Sequence, residues 1–112
     1  MNLSTFLASN IKNSWIELKH LRVYLRKSNR YLDKNTTTPC LDIASISVDE
    51  NKQGQGIFTK FLDKFENIAK KLDRIVFIES ILNDRLLKFL IEKRGYTLRK
   101  NSTPPSVYKT FH

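Results

Sequence analysis

At 112 residues, with 40% hydrophobic content including seven Phe, four Tyr and one Trp, the chain has material for one folded domain over residues 1–112 rather than a disordered segment. One cysteine, Cys40, excludes a disulfide framework, no metal-ligand spacing exists, and no membrane-length apolar run or signal pattern appears, so a soluble cytoplasmic protein is expected. The net charge of +9 is spread along the whole chain without interleaved exposed aromatics. Ordinary solvated surface therefore ranks first, an anionic ligand with an acidic protein partner second, and nucleic acid third.

In chain order, Leu3 to Asn13 reads as a short helix with Ser4 as its N-cap and Leu3, Phe6, Leu7 and Ile11 on one side. Trp15 or Ile16 opens a β region that runs to about Arg26, in which Leu21, Val23 and Leu25 alternate with Arg22, Tyr24 and Arg26. That is a strand with one wet face. Ser28-Asn29-Arg30 is turn-like, Tyr31 and Leu32 suit a returning strand, and Asp33 to Pro39 is a polar loop.

The next stretch organises the rest. Leu41–Val48 is β-branched and apolar, Gln53-Gly54-Gln55-Gly56 is the only glycine cluster, and Ile57, Phe58, Phe61, Leu62, Phe65, Ile68, Ala69 and Leu72 mark one face of a helix. Glycines between a strand and a helix N-terminus leave backbone N–H groups pointing outward, a site suited to phosphate. Within the strand, Leu41 and Ile43 share one parity and Ile46 and Val48 the other. A period of two changes parity only if a residue is inserted, so a β-bulge is expected near Ala44–Ser45, freeing a backbone N–H and C=O. A strand buried on both faces is the alternative reading.

Arg74–Glu79 then supplies a continuous apolar run, expected of a parallel strand covered on both faces. Asn83 or Asp84 caps a second helix whose buried face is Leu86, Leu87, Leu90 and Ile91, with Gly95 as C-cap behind Lys93 and Arg94. Tyr96 to Arg99 and Val107 to Phe111 are final strands around a loop stiffened by Pro104-Pro105.

These residues resemble the GNAT superfamily, the acyl-CoA-dependent N-acetyltransferases, as a small phage- or bacterial-type member with a shortened N-terminal part. The family signature is Gln or Arg, two residues, Gly, one residue, then Gly or Ala. Gln53 and Gly56 match its first two fixed positions and Phe58 departs from the third. The resemblance spans Leu41–Tyr96, and the order Asn83, apolar helix, Gly95, Tyr96 continues it. It implies an α/β (α+β) fold, with a mixed, mostly antiparallel twisted sheet, splayed parallel central strands and flanking helices. It further implies acetyl-CoA as cofactor, its diphosphate on the N–H groups of Gln53, Gly54, Gln55, Gly56, Ile57 and Phe58 with Thr59 near by, and Asn83 on the pantetheine arm. Phe58 keeps its N–H, but its ring must turn away from the cofactor. Coenzyme A, with its three phosphate groups, also accounts for part of the basicity.

Acetyl transfer needs a polarised carbonyl, a deprotonated amine and a stabilised leaving thiolate. A free main-chain N–H at Ile46, Ser47 or Val48 would serve the first. The family usually carries a Tyr acid four residues before the glycine, but here Leu90 or Ile91 stands at that place; Tyr96 and Tyr108 are substitutes, each also readable as a half-buried strand aromatic. Glu79, at the carboxyl edge of its strand, is the candidate base, with an ion pair to a nearby Lys or Arg as the other reading. Asp42, read as facing solvent, and Ser47 are weaker candidates; His20, His112 and Cys40 read as structural. The expected activity is transfer of acetyl to a primary amine, a protein lysine or N-terminus, because the short front leaves the acceptor site open unless a homodimer supplies its wall. The alternatives are a non-catalytic module of the same fold acting through its basic surface, and a nucleic-acid-binding protein.

Overall fold

The structure, a computed structural model, describes residues 1–32 and 36–111. Helix α1 covers Leu3–Ala8, and its cap is Asn2, whose side-chain oxygen accepts the Thr5 amide at 2.8 Å. The expected helix to Asn13 capped by Ser4 is therefore too long and starts too late. Ser9 stops it: its backbone is extended, and both its amide and its hydroxyl turn back to the Phe6 carbonyl. Ile11, expected on the buried side, is 43% exposed.

Strands β1 (Asn13–Leu18) and β2 (Leu21–Arg30) pair antiparallel around a turn at Lys19-His20, where His20 takes φ 65°. The sequence reading placed one strand here and a turn at Ser28–Arg30. The real turn contains none of the usual turn formers Gly, Pro, Asn or Asp, so local chemistry did not mark it. Ser28, Asn29 and Arg30 stay extended because they pair with Cys40, Pro39 and Thr38. Tyr31 and Leu32 form no returning strand, and Asp33–Asn35 of the expected loop lie outside the described residues. Strand β3 accordingly begins earlier than expected, at Thr38, and runs to Val48.

The bulge falls where parity demanded it. Leu25 pairs with Ile43 and Tyr24 with Ser45, so Ala44 is the extra residue on β3. The insertion lets Leu41 and Ile43 before it, and Ile46 and Val48 after it, all join one core. A 3-10 turn (Glu50–Lys52) and the glycine loop lead into α2 (Ile57–Lys71), which returns the chain to β4 (Ile75–Ile78), parallel to β3. All four β4 residues are buried, as a strand covered on both faces requires. Helix α3 (Asp84–Arg94), β5 (Thr97–Leu98) and β6 (Val107–Lys109) complete a mixed sheet in the order β1-β2-β3-β4-β6-β5, in which β3–β4 is the parallel pair. Asn83 caps α3 and Gly95 ends it at φ 78°. Ile91, expected on the buried face, is 38% exposed, and Leu86, Leu87 and Phe89 pack beside the buried Leu90. The last two strands are shorter than the sequence suggested.

All three helices contribute to a single cluster on one face of the sheet, with Phe6 from α1, Phe65 from α2 and Leu90 from α3. The opposite face holds a smaller cluster of Cys40, Ile75 and Phe77. Asp42 sits on that second face and is fully buried, not solvent-facing as expected. Arg30 Nη2 binds its carboxylate at 2.7 Å, Ser28 Oγ donates to it at 2.8 Å, and Arg26 stands 3.5 Å away. The Arg30 guanidinium also lies 4.0 Å over the Phe77 ring and roofs the cluster. A lone carboxylate in this strand would not be tolerated; a carboxylate with three donors is. Replacing Asp42 by Asn leaves a buried neutral amide beside two half-buried guanidinium groups and removes the counter-ion they share. Asp42→Asn is expected to lower stability by about 3–5 kcal/mol in urea unfolding, with little change in m.

Candidate functional site

The glycine loop has the geometry that anion binding requires. Gly54 and Gly56 hold φ of 81° and 75°, a left-handed backbone that costs other residues about 1–2 kcal/mol. Gly56 is the N-cap of α2, and the first helical amide with an internal acceptor is that of Lys60, which donates to the Gly56 carbonyl at 3.0 Å. Among the described residues, no acceptor within the chain meets the amides of Gly54, Gly56, Ile57, Phe58 or Thr59, while that of Gln55 closes the turn over Gln53–Gly54. These amides lie at the positive end of a fifteen-residue helix. A Cβ on either glycine would meet no atom within 4 Å, so open space lies beside the backbone. Gln53 pins the loop by donating to the Val48 carbonyl at 3.4 Å. Phe58 has turned inward as its position requires, packing on the core with its ring 6.5 Å from that of Phe61.

Next to this loop the two parallel strands separate. Their pairing ends at Ile43 with Ile78, and the Glu79 amide closes it on the Ile43 carbonyl at 3.0 Å. Ser80, at φ 51°, then turns away to bond Ser106 through its amide, and Ile81 bonds the Pro105 carbonyl. Strand β3 continues five residues further, to Val48, paired only with β2. Alternate main-chain groups of Ala44–Val48, including those around Ile46, Ser47 and Val48, therefore face the gap with no strand opposite. Loop amides, free strand edge and gap all lie toward the carboxyl ends of β3 and β4, where sheets of this kind take ligands.

The side chains proposed for chemistry are placed less uniformly. Glu79 stands at the mouth of the gap on the helix-free face, about a third exposed, and accepts from Arg26 Nη1 at 3.1 Å with Arg30 at 4.0 Å. Its ion-pair partners lie on β2, some fifty residues earlier in the chain, which is why the sequence could not name them. Asn83 is exposed, but its Oδ1 is already engaged as the α3 cap, accepting the Leu86 amide at 3.1 Å, which leaves its Nδ2 donors. Tyr96 is 3% exposed and its hydroxyl donates to Glu66 at 2.7 Å. Burial, then that bond to a carboxylate, push its pKa far above the ordinary tyrosine range. A hydroxyl so held forms part of the packing between α2 and β5. Cys40 is inside β3, fully buried, and its thiol is pushed up to about 11 by burial and then by Asp42.

Some residues around the loop escaped the sequence reading. Lys52, Lys60 and Lys64 join Lys19, His20 and Gln55 around a cleft of about 480 Å³ beside the N-terminus of α2. The signal available was the spacing of Lys60 and Lys64, one turn apart on the helix that follows the glycines.

No protein-family model matches this sequence, and no curated protein does. Solved structures do match in shape. A crystal structure of the KacTA–DNA complex superposes with a TM-score of 0.64 at 16% identity, and a tyrosine-to-phenylalanine mutant of the toxin AtaT, bound to the C-terminus of the antitoxin AtaR and to acetyl-CoA, with 0.63 at 16%. The fold of this chain is GNAT-like. Each match covers 80% of the chain but 57% of the other protein, so the GNAT-like chain spans little more than half the length of either.

Two measurements check the placements of Tyr96 and Cys40. Tyr96→Phe removes a donor from the buried Glu66 carboxylate and is expected to cost about 1–3 kcal/mol of unfolding free energy. Cys40 should resist iodoacetamide at neutral pH in the native protein and react at once in denaturant, because the nucleophile is the thiolate; rapid native labelling would contradict its burial.

Proposed function

We propose that the chain is an acetyl-CoA-dependent N-acetyltransferase acting on a primary amine of a protein, a lysine or an N-terminus. The observation that carries this reading is the set of unpaired amides of Gly54 and of Gly56 to Thr59, held by two left-handed glycines beside the free edge of β3. The acetyl-CoA bound in the AtaT structure supports the choice of ligand. The amides of Gln53, Gly54, Gln55, Gly56, Ile57 and Phe58 would hold its diphosphate, with the Thr59 amide beside them and Lys52 and Lys60 adding charge. The main-chain donors of Ile46, Ser47 and Val48, with Nδ2 of Asn83, would hold the arm and aim at the reacting carbonyl. When bound, the coenzyme supplies an acetyl group activated as a thioester. Glu79 is the base in this reading: it takes the proton from the incoming ammonium, with Arg26 fixing the carboxylate. All three helices pack on the other face, so the face that carries Glu79 is open to an acceptor as large as a protein.

A second reading keeps the fold and gives up the reaction. Leu90 and Ile91 stand where the family's acid would be, Tyr96 is committed to Glu66, and Glu79 is ion-paired. These observations favour a non-catalytic module that engages an acidic protein through its basic surface. The toxin–antitoxin contact in the AtaT structure supports a protein partner under either reading.

Calorimetry with acetyl-CoA tests the first claim. Saturable binding is expected, weakened at least about tenfold, or ~1.4 kcal/mol, in Gly56→Val, whose side chain enters the space before the helix. Thiol release with lysine-bearing peptides is expected to fall about 10²- to 10⁴-fold in Glu79→Gln with coenzyme affinity unchanged. Binding without acetylation of any acceptor selects the module, and absence of binding removes the coenzyme altogether.

A further inference from the structure

The end of the sheet remote from the glycine loop carries a cleft that acyl transfer leaves unused. It encloses about 390 Å³ between α1, the later part of β2 and the junction of α2 with β4. Helix α2 has fifteen residues, which puts roughly 22 Å between this cleft and Gly56. Lys12, Lys27 and Arg74 line it with Ser9, Asn10 and Asn29, and its described lining contains no carboxylate.

Two of the cations, Lys27 and Arg74, are fixed in place by the main chain. Lys27 Nζ donates to the carbonyls of Phe6 and Ser9 at 2.8 and 2.6 Å and lies 4.7 Å over the Phe6 ring. Arg74 Nη1 donates to the Cys40 carbonyl at 3.1 Å. An ammonium has three donors and a guanidinium five, so each group keeps donors beyond those the main chain takes. Burial first, and then the charge of Arg74, lower the pKa of Lys27. Two like charges held in a half-buried cleft destabilise each other until an anion sits between them. The volume is that of a small-molecule site, larger than a lone inorganic ion needs.

We propose that this cleft binds a small phosphate monoester, with the phosphoryl group between Lys27 and Arg74, Lys12 at the mouth and the amides of Asn10 and Asn29 on the organic part. The site is independent of the acetyl-CoA reading and lies on a different part of the surface.

Titration of the full chain with AMP and with inorganic phosphate, followed by ¹H–¹⁵N NMR, tests it. Saturable shifts are expected at Lys27, Asn29 and Arg74, with a dissociation constant of about 1 mM or below. They should weaken at least about tenfold in Arg74→Gln and largely persist in Arg74→Lys, which keeps the charge. Tighter binding of AMP assigns an organic phosphate, and equal binding assigns the free ion. Shifts confined to Gly54–Thr59, or shifts at the cleft that Arg74→Gln leaves unchanged, would overturn the site. Since the two regions are read by separate resonances, failure at the cleft and failure at the loop are told apart in one experiment.

Discussion

One inserted residue, Ala44, governs the architecture on which the site stands. Side chains on a strand alternate, so without the insertion Ser45 and Ser47 would face the helices and Ile46 and Val48 would face water. With it, both halves of β3 contribute apolar residues to the same core. The insertion also falls at the level where β4 ends its pairing with β3. A strand that must serve the core while losing a neighbour is thereby kept extended for five further residues by β2 alone. The unpaired edge beside the gap follows from this.

The loop after β3 turns a packing requirement into a binding surface. Helix α2 must start close to the end of β3 to lay Phe61, Leu62 and Phe65 on the sheet. The connection from Val48 to Ile57 turns through a 3-10 turn and two left-handed residues, a backbone that glycine adopts without strain. The helix amides that result have nothing in the chain to bond, and the helix field adds to their attraction for an anion.

The two faces of the sheet are stabilised by different means. One is covered by helices and packs apolar side chains. The other, with no helix on it among the described residues, is closed by charged side chains: Arg30 lies over Phe77 and ties Asp42, and Arg26 links Asp42 to Glu79. Glu79 thus belongs to the structure that holds this face together and is also the carboxylate at the mouth of the gap. That ion pairing is reason enough for a non-catalytic chain to keep it.

The sequence alone determined what depends on neighbouring residues: the strand, glycine loop and helix, the bulge from the change of parity between Ile43 and Ile46, the cap at Asn83 or Asp84 and the stop at Gly95. Each is fixed by contacts within a few residues or by a strict period, and each is found. Tertiary structure decided what depends on residues far apart in the chain. Asp42 is buried because Arg26, Ser28 and Arg30 converge on it from β2, Tyr96 is buried with its hydroxyl bonded to Glu66 of α2, and the turn at Lys19-His20 is imposed by the pairing of its flanking strands. Pairings between distant segments decide whether a polar side chain meets water or a partner, and local pattern carries no record of them.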